Sequence, residues 1–300
     1  MSYIAKIKQS KRQIAGILMT VPLVLLVLGV ILPDLPSSPM LRDSFWAHKI
    51  DPDQRYDIVF TGDSRIYRGI DPAVVDSMLG SKSFNYGFSS AGLDSFLLGK
   101  AVKLLDPAGK RVLVIGISVN SFTQGSLRNS HLKSLLEWNS RDVWIRKHVY
   151  PSLTYFDPYA VSDIYKLSRG ERYVERYHVS NGYAASYKIP LDSGSAIPAY
   201  ADQFRHEMYS EEAQKKCIDY ISRLVAQDIC VVAVRVPVAE EMRMLEDEFA
   251  GKSFEQFRKE LEKAGAYCPT IGGSFVSYDG SHLTEVSARE FSRQLAQQIK

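Results

Sequence analysis

The spacing of apolar and polar positions divides this chain into three regimes. Residues 14–32 carry no charge and only Thr20, Pro22 and glycines interrupt their apolar run, behind a basic cluster of Lys6, Lys8, Lys11 and Arg12. Such a run is long enough to cross a bilayer as a helix. It exceeds the usual core of a cleaved signal peptide, and its exit, "PDLPSSPM", offers no small-x-small site. The basic flank should stay cytoplasmic, which places everything after about residue 33 on the extracytoplasmic side. We therefore expect a cytoplasmic tip and transmembrane signal anchor over 1–33, followed by a Pro- and Ser-containing stalk over 34–54.

From residue 57 the pattern becomes short apolar runs alternating with amphipathic stretches. Strands are expected at 57–61, around Ser83–Asn85, at "RVLVIGI" (111–117), at "ICVVAVRVPV" (229–238) and near 266–269. Helices are expected at 71–79, with Asp71 as N-cap and Pro72 at the first helical position, and at 93–105, 208–227, 239–264 and 283–299. Strands alternating with helices argue for an α/β domain over 55–300, its parallel sheet covered on both faces. Residues 121–205 break the rhythm and are too long for an ordinary connection, so they form an insertion or lid. That stretch holds Tyr150, Tyr155, Tyr159, Tyr165, Tyr173, Tyr177, Tyr183, Tyr187 and Tyr200. These rings can form the core of a small subdomain or a surface that stacks on sugars.

Composition narrows the function. With 300 residues, 45% hydrophobic and 24% charged, the chain is neither disordered nor fibrous. A net charge of +3, part of it in the basic N-terminus, leaves no basic stripe for nucleic acid. Cys217, Cys230 and Cys268 show no CxxC or Cys/His spacing for a metal, and their odd number leaves at least one thiol unpaired within the chain.

Two short stretches carry candidate chemistry. In "VFTGDSRIYRGIDP" (59–72) a buried-looking strand runs into Gly62-Asp63-Ser64, and open α/β sheets bind ligands at the carboxyl ends of their strands. Gly, Asp and Ser are also ordinary turn residues. In "SYDGSHLTEVSAREF" (277–291) Asp279 and His282 lie three apart in a loop before a helix. A serine nucleophile needs an adjacent base, and the base needs a group that fixes its tautomer. Asp279-x-x-His282 can supply both, whereas His48, His131, His148, His178 and His206 have no acid so placed.

Gly62-Asp63-Ser64 followed, in that order, by Asp279-x-x-His282 resembles the SGNH (GDSL-like) hydrolases. The resemblance covers about 55–120 and 208–300. It implies a three-layer α/β/α fold with a parallel, flavodoxin-like sheet and a Ser64–His282–Asp279 triad without a cofactor. It also implies an oxyanion hole from the Ser64 and Gly87 N–H groups and the Asn120 side chain. The family's Gly-x-Asn-Asp block departs here to Gly116-Ile117-Ser118-Val119-Asn120, so either Asn120 or Ser118 can take the third oxyanion position. Asp63 is expected to fix the turn, and Arg65 and Arg68 to contact an anionic substrate group or solvent. Membrane-anchored relatives commonly act in O-acylation or deacylation of envelope polymers. The expected partners are thus an acylated carbohydrate, the membrane and other envelope biosynthesis proteins, with hydrolysis and acyl transfer both open. The competing class is a non-catalytic polysaccharide-binding or assembly protein that kept the fold; a lipid esterase would call for a more apolar lid.

Overall fold

Side chains alternate strictly between two cores along the central strands, and that alternation fixes the layers. The computed structural model describes residues 3–31, 39–128, 130–154 and 168–299. Its main sheet contains β1 (Ile58–Gly62), β2 (Ser83–Gly87), β3 (Val112–Gly116) and β6 (Cys230–Val234), in the order β2-β1-β3-β6 and parallel throughout. Ile58, Phe60, Val112, Val114, Val232 and Val234 point into one core, whose helical cover includes Val75, Phe291 and Leu295. Val59, Leu113, Ile115, Val231 and Ala233 point into the other, against Leu97, Leu98, Ile221, Leu224 and Leu261. A period of two with apolar residues at both phases makes a strand that is buried on both faces. The chain is thus a mixed α/β protein with a parallel four-stranded sheet.

Several boundaries differ from the sequence-based expectation. The helix expected over 239–264 is two helices, Glu240–Ala250 and Phe254–Lys263. Gly251 ends the first in a left-handed conformation (φ 64°), and Ser253 opens the second with a capping box to Gln256. The strand expected near 266–269 is reduced to a bridge between Val232 and Tyr267.

The stalk expected over 34–54 needs correction. Residues Pro39–Ile50 form a helix that belongs to the domain, with Phe45 and Ala47 fully buried and Trp46 nearly so. Pro39 suits a first helical turn as well as it suits a linker, and Leu41, Phe45, Trp46 and Ile50 follow helical spacing. Lys49, on the same helix, is fully buried and donates to the Gly182 carbonyl at 2.7 Å. Its Nζ lies 4.8–5.6 Å from the ring centroids of Phe45, Trp46, Tyr67 and Phe88.

The segment expected as a lid is also part of the body. β4 (Arg172–His178) and β5 (Tyr183–Ile189) form an antiparallel hairpin, and Tyr183 and Ala185 sit in the core shared with β1 and β3. Tyr177 and Tyr183 are buried and Tyr173 is exposed; Tyr155, Tyr159 and Tyr165 lie outside the described residues.

The N-terminal helix spans Tyr3–Ile31, with Ile17, Leu18 and Met19 exposed. Among the described residues no helix is long and apolar enough to cross a membrane. Side chains along that helix are described continuously only over 13–27, and Leu32, where the expected span ends, lies outside the described residues.

Candidate active site

Three glycines end three neighbouring strands, and the helix Ser64–Gly69 rests on them. Gly62, Gly87 and Gly116 are the last residues of β1, β2 and β3. A Cβ at Gly62 would lie 2.8 Å from Ile66 Cγ1, one at Gly87 2.9 Å from the Tyr67 nitrogen, and one at Gly116 would collide with Ile66. Glycine at each strand end lets Ile66 seat against the sheet, which brings Ser64 down onto its carboxyl edge.

Asp63 caps that helix. Its Oδ1 accepts the Arg65 N–H at 3.0 Å, and its Oδ2 accepts the Ser118 hydroxyl at 2.6 Å. Ser118 Oγ in turn accepts the Ser121 N–H at 3.2 Å and so caps the short helix Val119–Phe122 after β3. Asp63 is therefore a turn-fixing group, as expected. Ser118 is not a substrate or oxyanion residue, because its proton is committed to Asp63.

The Ser64 hydroxyl lies 2.8 Å from His282 Nε2, and His282 Nδ1 lies 2.8 Å from Asp279 Oδ2. Asp279 Oδ1 accepts the N–H groups of Ser281 and His282, each at 2.8 Å, which locks the carboxylate beneath the ring. The Ser277 hydroxyl donates to the His282 carbonyl at 2.8 Å and accepts the Gly280 N–H at 2.8 Å, holding the loop closed. Burial pushes the Asp279 pKa up, but the hydrogen bonds and charge of His282, with the Ser281 N–H, outweigh it and hold it at about 2. An ionised Asp279 can only accept, so His282 Nδ1 carries the proton and Nε2 presents its lone pair to Ser64. Burial, and next the charge of Arg68, keep the His282 pKa below its ordinary value against the pull of Asp279. The ring is neutral near pH 7, as a general base must be.

Of four further expected site residues, two do not face substrate. Gly87 does not point its N–H into the site; that group donates to Asn85 Oδ1 at 3.1 Å, and Asn85 also donates to the carbonyls of Ile66 and Ile70 at 2.8 Å each. Arg65 is only 2% exposed and does not reach substrate. It pairs with Glu246 at 2.6 Å and donates from Nε to Ser281 Oγ at 3.1 Å, joining the Ser64 helix to the His282 loop. Arg68 is in the site, with Nη1 3.3 Å from His282 Nε2, but is not a free cation, because Nε and Nη2 donate to Glu175 Oε1. Asn120 is buried, and its Oδ1 accepts from Gln203 Nε2 at 2.8 Å, which leaves Nδ2 as its donating face. The Ser64 N–H heads its helix, where donors have no intrahelical acceptor.

Some neighbours were not singled out in the sequence. Glu175 accepts hydroxyl protons from Tyr173 (2.9 Å) and Tyr177 (2.6 Å) besides Arg68. Burial pushes its pKa up, but Arg68 and the two hydroxyls bring it below the ordinary value. Tyr278 stacks on His282 with ring centroids 5.8 Å apart. Tyr173-x-Glu175-x-Tyr177 is a strand pattern that puts all three on one face, and that spacing was the available signal. Among the described residues no group of His, Cys, Asp and Glu is arranged to hold a metal ion, and all three cysteines are free thiols.

No family model matches the chain, and no curated protein does. A solved structure described as "a putative platelet activating factor from Streptococcus pneumonia" is similar over 88% of this chain and 93% of its own, at 12% identity and a TM-score of 0.40.

Proposed function

We propose that this protein is a serine esterase or O-acyltransferase of the SGNH type, acting on acyl esters of envelope carbohydrate. The observation that carries the reading is the Ser64–His282–Asp279 relay, with 2.8 Å at both links and the ring in the base-competent tautomer. Ser64 Oγ attacks the ester carbonyl carbon while His282 Nε2 takes its proton, and Asp279 stabilises the imidazolium. The oxyanion meets the Ser64 N–H and Asn120 Nδ2. Collapse of the intermediate breaks the ester C–O bond, and the departing alkoxide takes the proton from Nε2. Water or a sugar hydroxyl then resolves the acyl-enzyme, giving hydrolysis or transfer.

Tethering to the cytoplasmic membrane, with the α/β domain outside, is part of the proposal. It rests on the uncharged run 14–32 behind the Lys6–Arg12 cluster.

The commitment of the Gly87 N–H to Asn85 favours a second reading, a non-catalytic binding or assembly protein, because it leaves a smaller oxyanion hole. A serine-reactive fluorophosphonate probe together with a chromogenic acetyl ester separates the two. Labelling and turnover that vanish in Ser64→Ala support the enzyme. A folded wild-type chain that neither labels nor turns over supports the binding protein.

A further inference from the structure

A cavity of about 540 Å³ opens beside the Ser64 helix, and its lining joins aromatic rings to charged and hydroxyl groups. Tyr67 and Glu175 form the wall nearest the relay. Tyr67 lies one helical turn after Ser64, with the Arg68 guanidinium 4.9 Å from its ring centroid; Glu175 binds Arg68, which stands 3.3 Å from His282 Nε2. Trp46, Trp138 and Tyr177 add aromatic surface, and Ser89, Ser90 and Ser134 add hydroxyls.

The charges in this cavity do not cancel. Asp43 is matched by Arg146 at 3.6 Å, and Glu175 by Arg68. His131 has its pKa lowered, by burial first and then by Arg42 and Lys49, so it adds polarity without charge near pH 7. Arg42 lines the cavity with its side chain exposed, and among the described residues it makes no ion pair. The cavity therefore keeps one uncompensated guanidinium amid rings and hydroxyls. A lipid chain finds no continuous apolar wall here, and a neutral sugar leaves Arg42 unmatched.

We propose that this cavity seats an anionic sugar unit of the ester-bearing polymer, with Arg42 pairing its carboxylate or phosphate and the aromatic wall receiving the ring. The choice of carbohydrate rests on the esterase reading; the choice of negative charge rests on Arg42. A guanidinium provides planar, forked recognition of such groups, and aromatic faces suit the apolar faces of sugar rings. A cavity of this size lies within the range of about 300–1,000 Å³ of small-molecule sites, more than an acetyl group alone requires.

The test uses the full-length chain in detergent with Ser64→Ala, so that binding is read without turnover. Titrations follow tryptophan fluorescence, since Trp46 and Trp138 line the cavity. The ligands are an oligogalacturonate, the neutral galactose oligomer of equal length, and the same neutral oligomer bearing a phosphate. At least one charged oligomer should bind about tenfold or more tightly than the neutral one, and salt should narrow the gap. The arm that binds tells carboxylate from phosphate. Adding Arg42→Gln should erase the difference with the melting temperature unchanged; if that variant is unfolded, Trp138→Ala should weaken charged and neutral oligomers alike. Equal affinity for all three ligands, or a charge preference that survives in folded Arg42→Gln, overturns the proposal. A chain that binds charged oligomers but whose Ser64 form never labels defeats the esterase reading and leaves this one standing.

Discussion

The Arg68 guanidinium stands 3.3 Å from His282 Nε2, the nitrogen that also faces the Ser64 hydroxyl at 2.8 Å. A fixed positive charge at that nitrogen disfavours the imidazolium and, with burial, keeps the base unprotonated below its ordinary pKa. The acid limb of the rate profile should therefore fall below about pH 6.5, the unperturbed histidine value. Arg68→Met removes one of the three lowering influences, leaving burial and the charge of Arg65, and releases the Glu175 carboxylate. The His282 pKa should rise, and the acid limb should move to higher pH. The measurement is kcat/KM for a chromogenic acetyl ester from pH 4 to 9 in both proteins. An unmoved or downward-shifted limb contradicts this electrostatic role.

Ser64→Ala should abolish probe labelling and ester turnover while the far-ultraviolet circular dichroism stays unchanged. Only one oxygen is removed, at the mouth of a strand, so little packing is lost. His282→Ala should fall nearly as far, since nucleophile and base act as one unit, and Asp279→Ala should keep more activity because Asp279 orients the base without reacting.

Glu246 is fully buried between two cations, 2.6 Å from Arg65 and 2.7 Å from Arg235. Glu246→Ala leaves the buried Arg65 guanidinium unpaired and should cost about 3–5 kcal/mol of stability. Urea unfolding checks it. Because Arg65 also holds Ser281, the surviving folded fraction should turn over ester more slowly. A midpoint within error of the wild type would mean that water reaches Arg65.

Gly116→Ala tests the seat of the Ser64 helix. The added methyl collides with Ile66, so Ile66 and Ser64 must move or the sheet must open. Overpacking of this kind costs about 1–3 kcal/mol. The companion Gly116→Ala/Ile66→Ala, which removes both the Cγ1 and the Cδ1 that the methyl meets, should cost less stability than the two single changes summed and recover part of the labelling rate. No recovery would place the strain elsewhere.

How far the sequence carried depends on the range of each contact. The two-sided burial of β1, β3 and β6 was legible, because buried parallel strands read as unbroken apolar runs. The pairing of Ser64 with Asp279-x-x-His282 was legible because strand-to-helix loops converge at one edge of such a sheet. The helix Pro39–Ile50 was missed, because Pro39 and the preceding serines read as a linker while its buried Lys49 donates to a carbonyl far along the chain, Gly182. Gly87 was misassigned for a related reason. An oxyanion donor and a glycine that merely clears space for Ile66 look alike in sequence, and only the bond to Asn85 tells them apart. Glu175 and Gln203 come from the 121–205 region: the alternation Tyr173-x-Glu175-x-Tyr177 marks one strand face without saying that it meets the sheet edge, and nothing local to Gln203 shows that it reaches Asn120.

With the Gly87 N–H engaged, Asn120 carries more of the oxyanion argument. Gln203 Nε2 donates to Asn120 Oδ1, so the amide is held with Nδ2 as its free donor. Asn120→Ala should lower kcat by about 10²–10³ with little change in KM, the signature of an interaction made mainly in the transition state. Asn120→Asp is the sharper variant. A carboxylate still accepts from Gln203, so the local scaffold survives, but the donor is gone and a negative charge faces the developing oxyanion. It should be at least as slow as the alanine variant while matching the wild-type melting temperature more closely. If Asn120→Asp keeps wild-type turnover, Asn120 serves only to hold Gln203, and the Ser64 N–H would need a different second donor.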